Sequence, residues 1–244
     1  MRLVCFPHAG GAASTYLPLS NGLAPDVDVV AVQYPGRQDR LRQEPFTDIH
    51  RLAERLAEVI AAADDVPLAF FGHSMGAVLA YETARRLIER GRPGPSHLFL
   101  SGRGAPDTRP EALERLRTDA DILQVVRRLG GTVPRLLEDP DLREMVMPAL
   151  RADYRAIDSY SWKAGPPLDV PISVLIGDRD PLISVESTVG WRDRTTAGTT
   201  THVFAGGHFY LDERLPEVVE AILDGLGPLV GTAVGPASSA RGGG

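Results

Sequence analysis

The sequence predicts an α/β fold in which helices cover both faces of a mostly parallel β-sheet. Short apolar runs, each the length of a buried strand, alternate along the chain with segments of helical periodicity. One run meets the pattern Gly-x-Ser-x-Gly, centred on Ser74, and passes directly into a helical pattern. A long stretch, residues 101–171, separates two other runs. Because a parallel crossover needs only about 10 to 12 residues, this stretch predicts an inserted element.

The predicted strands are apolar runs that end close to a glycine or a proline. They are Leu3–Phe6, Val27–Val32, Leu68–Phe71, Leu98–Leu100, Ile172–Ile176 and Thr201–Phe204. Helical periodicity predicts helices between them. The first helix is predicted from Ser14 to Leu23, and the last contains the apolar stripe Val218–Leu226. Three others are predicted to begin after a cap at Thr47 or Asp48, directly after Ser74, and after a cap at Ser184.

The inserted element is predicted to be a helical lid over residues 105–165. The core then comprises residues 1–104 and 166–227. Apolar residues at helical spacing indicate lid helices around 122–129 and 142–150. Helix-breaking residues are expected to interrupt the lid at Gly130-Gly131, Pro134 and Pro148. From 228 to 244 the content of Gly, Ala, Ser and Pro predicts a disordered tail.

The composition argues against several classes of function. Acidic residues outnumber basic ones by 32 to 26 and both are mixed along the chain, so neither nucleic acid nor a membrane is an expected partner. Cys5 is the only cysteine, which excludes an internal disulfide. The sequence shows no metal-ligand cluster, phosphate loop or dinucleotide fingerprint, so we expect neither a metal nor a cofactor. We expect a monomer, and a cytoplasmic location because no signal or membrane-spanning segment is evident.

Ser74 is the candidate nucleophile. A serine at such a strand-to-helix turn adopts a strained backbone conformation, and Gly72 and Gly76 allow the helix to approach the strand closely. The turn lifts the Ser74 hydroxyl clear of the sheet. A glycine-rich turn with a passive serine gives the same pattern, so the interpretation depends on finding a base and an oxyanion-binding loop.

His208 is the candidate general base. It follows the last predicted strand, and sites on parallel sheets assemble beyond the carboxyl ends of the strands. His8 is the main alternative because its loop follows another strand and approaches Ser74. His73 adjoins Ser74, and its side chain is expected to point away from the hydroxyl.

Asp180 is the candidate acid on the loop that follows the strand Ile172–Ile176. The step Gly-x-x-Asp carries its carboxylate far enough beyond the strand to reach a histidine. Asp178 is expected to brace the same loop, and Asp107 after an earlier strand is the remaining alternative. The chain order Ser, Asp, His is that of an α/β-hydrolase sheet.

Two backbone amides are candidates for the oxyanion hole. Met75 begins a helix, so its N–H has no partner within that helix. The loop His8–Gly11 supplies the Ala9 N–H as the second donor. These groups predict a hydrolase in which His208 takes the Ser74 proton, Asp180 stabilises the imidazolium, and water cleaves an acyl-serine.

The sequence resembles the type II thioesterases that accompany modular polyketide and nonribosomal peptide synthetases. The resemblance covers nearly the whole chain. Its most discriminating motifs are His8-Ala9-Gly10-Gly11, Tyr34-Pro35-Gly36-Arg37 and Leu150-Arg151-Ala152-Asp153. It implies hydrolysis of acyl groups from the phosphopantetheine arm of acyl or peptidyl carrier domains.

The same resemblance implies roles for individual residues. Ser74, Asp180 and His208 would form the triad, the amides of Ala9 and Met75 the oxyanion hole, and a mobile lid would control the substrate chamber. No cofactor is implied beyond the phosphopantetheine of the partner.

Three questions stay open at the level of sequence. The fold also suits a carboxylesterase or lipase acting on oxygen esters, or a hydrolase-fold protein that binds without turnover. Apolar lid residues either line an acyl pocket or pack the lid on the core: Val125, Val126, Leu136, Leu137, Met145 and Met147. Arg37, Arg40 and Arg42 either contact an acidic carrier domain or belong to an exposed charged loop.

Overall fold

The computed structural model describes residues 1–63, 66–108, 118–130 and 138–230. Within these residues, six strands form one sheet in the order β2-β1-β3-β4-β5-β6, and every neighbouring pair is parallel. The strands are β1 Arg2–Phe6, β2 Asp28–Ala31, β3 Leu68–His73, β4 Leu98–Ser101, β5 Ile172–Gly177 and β6 Thr199–Phe204. The predicted parallel sheet is confirmed.

Helices connect the strands and cover both faces of the sheet. They are α1 Leu17–Leu23, α2 Ile49–Ala61, α3 Met75–Glu89, α4 Asp119–Leu129, α5 Pro140–Ser159, α6 Tyr210–Glu213 and α7 Leu215–Val230. Asp48 caps α2 by accepting the Arg51 N–H at 2.8 Å, one of the two caps that the sequence allows. Among the described helices, none combines the length and apolar character that crossing a bilayer requires.

Alternation along the strands divides the core between the two faces. Val4 and Phe6 of β1 pack with α2 and α3, whereas Leu3 and Cys5 pack with α1 and α7. The central strands β1, β3, β4 and β5 are therefore buried on both faces, which explains why they appear in the sequence as continuous apolar runs, whereas the edge strands β2 and β6 are partly exposed.

Helices α4 and α5 lie between β4 and β5, within the predicted insertion. They pack on each other through a small apolar cluster of their own, which contains Val125, Val126 and Met147. These three predicted lid residues are therefore packing residues. Gly131, Pro134, Leu136 and Leu137 lie outside the described residues.

Two predictions about local structure are wrong, and a third is confirmed with a 3-10 helix in place of an α-helix. Pro148 does not interrupt the lid helix but lies inside α5, because Met147, Ala149 and Leu150 around it are buried and hold the turn in place. The helix predicted after Ser184 is present as a 3-10 helix, Glu186–Arg194, and the Ser184 hydroxyl accepts the Ser187 N–H at 3.2 Å. The closing helix reaches Val230, beyond the predicted start of the tail, and the rest of that tail, 231–244, lies outside the described residues.

Candidate active site

Ser74 occupies a strained turn between β3 and α3. Its backbone angles are φ 57° and ψ −115°, in a region that a non-glycine residue rarely adopts. A Cβ on Gly72 would overlap the Gly76 carbonyl, and one on Gly76 would overlap the Phe6 carbonyl. The two glycines therefore let α3 begin directly against the ends of β3 and β1.

His208 and Asp180 meet beyond the ends of β6 and β5. Nδ1 of His208 lies 2.6 Å from Oδ2 of Asp180, and both side chains are almost fully buried. The other oxygen, Oδ1, accepts the N–H groups of Leu182 at 2.9 Å and Ile183 at 3.1 Å. The carboxylate thus fixes the proton on Nδ1 and leaves Nε2 of His208 as the acceptor.

The structure does not join Ser74 to His208 by a hydrogen bond. Nε2 of His208 is buried and has no hydrogen-bond partner among the described residues. The His208 ring lies beside that of His73, the residue preceding Ser74, with 4.8 Å between ring centroids. The histidine is therefore held next to the serine turn with an unused buried nitrogen, and hydrogen bonds of this type often tighten only when substrate binds.

Two more histidines surround this pair, and both are neutral. Burial lowers the pKa of His8 to about 3, assisted by the nearby His208 and Arg37. Burial and the same His208 also hold the pKa of His73 well below its ordinary value. Nδ1 of His73 is hydrogen-bonded to Ser101 Oγ at 2.8 Å, so its ring is turned to the interior.

The alternative acids have other partners. Asp178 accepts the Gly206 N–H at 2.9 Å and ties the loop after β5 to the loop after β6. Asp107 forms an ion pair with Arg194 at 2.7 Å. Of the three aspartates, the structure brings only Asp180 to a histidine.

The two predicted oxyanion donors are unoccupied amides. Neither the Ala9 nor the Met75 N–H donates a hydrogen bond to any residue that the structure describes. Ala9 lies in a tight turn, in which the Gly11 N–H donates to the His8 carbonyl at 2.9 Å. The Gly76 contact brings α3, which begins with Met75, against the end of β1, from which this turn continues.

A buried ion pair that the sequence did not predict adjoins residues 8–11, which we call the oxyanion loop after the role predicted for Ala9. The Arg37 guanidinium donates to the Asp153 carboxylate, and both residues are buried, at 5% and 3% exposure. Both alternatives considered for Arg37, contact with a carrier domain and an exposed charged loop, are therefore wrong, although Arg42 is exposed. The two residues are 116 positions apart, so only the motifs that contain them could have indicated the pair.

A cavity of about 500 Å³ adjoins the oxyanion loop. Its apolar lining comes from Pro18, Leu41, Met145, Val146, Ala149 and Phe209. A second cavity of about 260 Å³ shares His8 and Phe209 with the first and reaches Tyr16 and Phe71. In the described part of the chain, no group of three or more His, Cys, Asp or Glu side chains is placed to hold a metal ion.

The parallel sheet, the strained serine after β3, and the His–Asp pair beyond β5 and β6 define an α/β hydrolase. The sequence matches the thioesterase domain family over residues 1–226. The chain belongs to this family and is a serine hydrolase.

Individual relatives support this assignment. The chain is 45% identical over 228 residues to a probable cadicidin biosynthesis thioesterase of Streptomyces griseus. The aligned region covers 93% of this chain and 63% of that protein. Thioesterase PikA5 of Streptomyces venezuelae is 42% identical over 230 residues, 93% of this chain and 81% of that protein. Among solved structures, the type II thioesterase BorB from the borrelidin biosynthetic cluster has a TM-score of 0.83 and 42% identity, with 92% of each chain covered. The predicted fold and the resemblance to type II thioesterases are confirmed.

Proposed function

We propose that the protein hydrolyses acyl thioesters on the phosphopantetheine arm of acyl or peptidyl carrier proteins of a polyketide or nonribosomal peptide synthetase. Such hydrolysis releases stalled or aberrant acyl groups from the synthetase. The observation that carries this proposal is the 42% identity to the type II thioesterase BorB over 92% of both chains. The proposed partners are carrier proteins, and we also infer that the enzyme is cytoplasmic and monomeric.

The proposed mechanism uses the groups at the ends of the strands. Nε2 of His208 takes the proton of the Ser74 hydroxyl as Oγ attacks the thioester carbonyl. Asp180 stabilises the resulting imidazolium, and the amides of Ala9 and Met75 bind the oxyanion. The tetrahedral intermediate expels the thiolate, which receives the proton from His208. Water then loses a proton to the same histidine and attacks the acyl-serine carbonyl, and the second tetrahedral intermediate releases the acid while Ser74 Oγ takes the proton back from His208.

The site suits a thioester in two respects. A thiolate is a better leaving group than an amide nitrogen or an alkoxide, so its expulsion needs less help from a proton donor than the cleavage of an amide or an oxygen ester does. The largely apolar lining of the cavity beside the oxyanion loop suits an acyl chain, and Met145 and Val146 of α5 contribute to it. No cofactor is needed, because the phosphopantetheine arrives with the partner.

Carrier-bound acyl groups provide the decisive test. Wild-type protein is expected to release the free acid from an acyl-loaded carrier protein, as measured by mass spectrometry of the carrier before and after incubation. The same acyl group presented as a simple oxygen ester should be hydrolysed with a lower kcat/KM. Equal or higher efficiency on the oxygen ester would favour a carboxylesterase, and no turnover of either substrate would favour a binding protein.

Replacing the candidate nucleophile provides the matched control. Ser74→Ala should abolish hydrolysis and leave the unfolding temperature close to that of the wild type, because a half-buried hydroxyl without a hydrogen bond contributes little to stability. Hydrolysis retained by Ser74→Ala would exclude Ser74 as the nucleophile.

A further inference from the structure

Helix α5 contacts the oxyanion loop through two side chains that lie one turn apart. The Gly10 N–H donates to Oδ2 of Asp153 at 2.7 Å. A Cβ on Gly10 would lie 2.6 Å from Cδ2 of Leu150, so this helix packs directly on the loop. Leu150 and Asp153 are both buried. A helix of the predicted lid therefore holds the residue that follows Ala9.

The Gly10 N–H, which donates to Asp153, belongs to the middle peptide of a turn. His8 and Gly11 close this turn by a backbone hydrogen bond of 2.9 Å, and Gly10 has φ +75°. This combination is that of a type II turn, whose middle peptide points opposite to that of a type I turn. By accepting the Gly10 N–H, the Asp153 carboxylate stabilises one of these two orientations.

Arg37 compensates the buried negative charge of Asp153 and links it to further contacts around the oxyanion loop. Its guanidinium donates to the same Oδ2 of Asp153 and also to the Pro35 carbonyl at 3.0 Å. It lies 5.1 Å from the centre of the Tyr34 ring, and the Tyr34 hydroxyl donates to the Pro7 carbonyl at 3.2 Å. The segment before the oxyanion loop and the loop itself are thus held by one connected set of contacts.

We propose that Asp153, held by Arg37, is a positioning residue that fixes the oxyanion loop and couples it to helix α5. Any movement of α5 away from the core would withdraw both Asp153 and Leu150 from Gly10. The cavity beside the loop is lined by α5 and by Gly10, Gly11 and Arg37, so a ligand there contacts both coupled parts. The inference rests on the proposed function in that Ala9 serves as an oxyanion donor.

A matched pair of double variants isolates the acceptor of the Gly10 N–H. In Arg37→Gln with Asp153→Asn, both charges are absent and Oδ1 of the asparagine still accepts the N–H. In Arg37→Gln with Asp153→Leu, the charges are also absent, but a side chain of similar length offers no acceptor. We expect the leucine variant to have a kcat about a hundredfold below that of the asparagine variant, with KM values within about threefold, as for loss of oxyanion stabilisation.

A second variant covers the case in which the leucine variant does not fold. Asp153→Glu keeps the charge and the acceptor but lengthens the side chain by one methylene, so we expect kcat to fall about tenfold with little change in KM. The exposed ion pair between Asp119 and Arg151, 2.6 Å long, also joins α5 to α4 and provides the control. Asp119→Asn should change kcat less than about twofold.

Both a p-nitrophenyl ester and an acyl-loaded carrier protein are used as substrates, since any acyl transfer uses the oxyanion hole. Equal kcat values for the two double variants, or a folded Asp153→Glu variant with wild-type kcat, would overturn the inference. A loss confined to KM would also contradict it. Wild-type turnover of the p-nitrophenyl ester without turnover of the carrier would instead contradict the proposed function, and the comparison of variants would still stand.

Discussion

Asp178 and Asp180 stand two residues apart on the loop after β5, and their carboxylates serve different partners. Asp178 accepts a single backbone N–H, from Gly206 at 2.9 Å, and its side chain is 48% exposed. The Asp180 side chain is fully buried, with one oxygen on His208 and the other on two backbone amides. This difference in surroundings predicts a large difference between two otherwise identical substitutions.

Asp180→Asn should lower kcat by about a thousandfold to ten-thousandfold. An amide nitrogen in place of Oδ2 cannot accept the Nδ1 proton, so His208 would be driven to the wrong tautomer. Asp178→Asn should change kcat less than about threefold, because its remaining oxygen still accepts the Gly206 N–H. Steady-state kinetics on one thioester, with unfolding temperatures of both variants, compares them directly. A larger loss for Asp178→Asn would exchange the two roles.

At the residue scale, contacts can be predicted from the sequence where a residue's position in the chain fixes its position in the fold. Asp180 and His208 follow two neighbouring strands, so the parallel sheet brings them to one edge. The contact between Ser74 and His208 depends on side-chain rotation and stays a prediction. Arg37 and Asp153 meet through a loop and a helix that no local pattern links, so their pairing could not be derived.

At the scale of whole elements, the junction of β3 and α3 positions the two candidate oxyanion donors relative to each other. α3 can begin against β1 only because Gly76 lacks a side chain, and a Cβ there would lie 2.8 Å from the Pro7 carbonyl besides overlapping that of Phe6. Both carbonyls are backbone atoms that rotation cannot remove. The distance between the Met75 and Ala9 amides therefore depends on this one position.

Gly76→Ala should displace the start of α3 and impair both stability and catalysis. We expect a loss of about 1–3 kcal/mol in the free energy of unfolding, as for overpacking, and at least a tenfold loss in kcat. Gly227→Ala in α7 is the control, since a Cβ there meets nothing within 4 Å, and it should be neutral or slightly stabilising. Urea unfolding and kinetics measure the two effects. Wild-type kcat in Gly76→Ala would show that the junction tolerates displacement.

Two helix boundaries differ from those that the local sequence predicts, because tertiary packing outweighs the intrinsic helix propensity of the residues there. Pro148 predicts a break, yet α5 continues because its neighbours Met147 and Leu150 belong to the buried cluster between α4 and α5. The glycines near the end of α7 predict a tail, yet Ile222 and Leu226 are fully buried and anchor the helix. In both cases the deciding contacts come from residues distant in the sequence, which local composition does not contain.

The whole molecule buries several histidines in their neutral form. Burial lowers the pKa of His97 to about 4 and that of His8 to about 3, and holds that of His73 well below its ordinary value of 6.5. His97 lies away from the candidate site, where Nε2 is hydrogen-bonded to Ser173 Oγ at 2.9 Å and the ring stacks on Phe99. Stability of the whole fold is thus linked to pH through groups that have no part in the proposed chemistry.

Folding should weaken as the pH falls below about 6.5. There the unfolded chain takes up protons on these histidines, while the folded chain binds them only near pH 4 for His97 and pH 3 for His8. Each histidine therefore contributes a slope of up to about 1.4 kcal/mol per pH unit to the free energy of unfolding. Urea unfolding at intervals between about pH 7 and pH 5 measures this slope above the ordinary range of carboxyl groups.

The variant His97→Gln measures how much His97 alone contributes to the pH dependence of the free energy of unfolding. The glutamine amide can still hydrogen-bond to Ser173 Oγ but does not titrate, so the variant's stability should fall less steeply than that of the wild type. The difference should approach about 1.4 kcal/mol per pH unit at the acid end of the range, where the unfolded histidine is fully protonated. The Ser74→Ala variant should retain the wild-type slope, because no titrating group is removed. Parallel curves for wild type and His97→Gln would mean that the pKa of His97 is the same in the folded and unfolded chains, and the acid sensitivity would then have another origin.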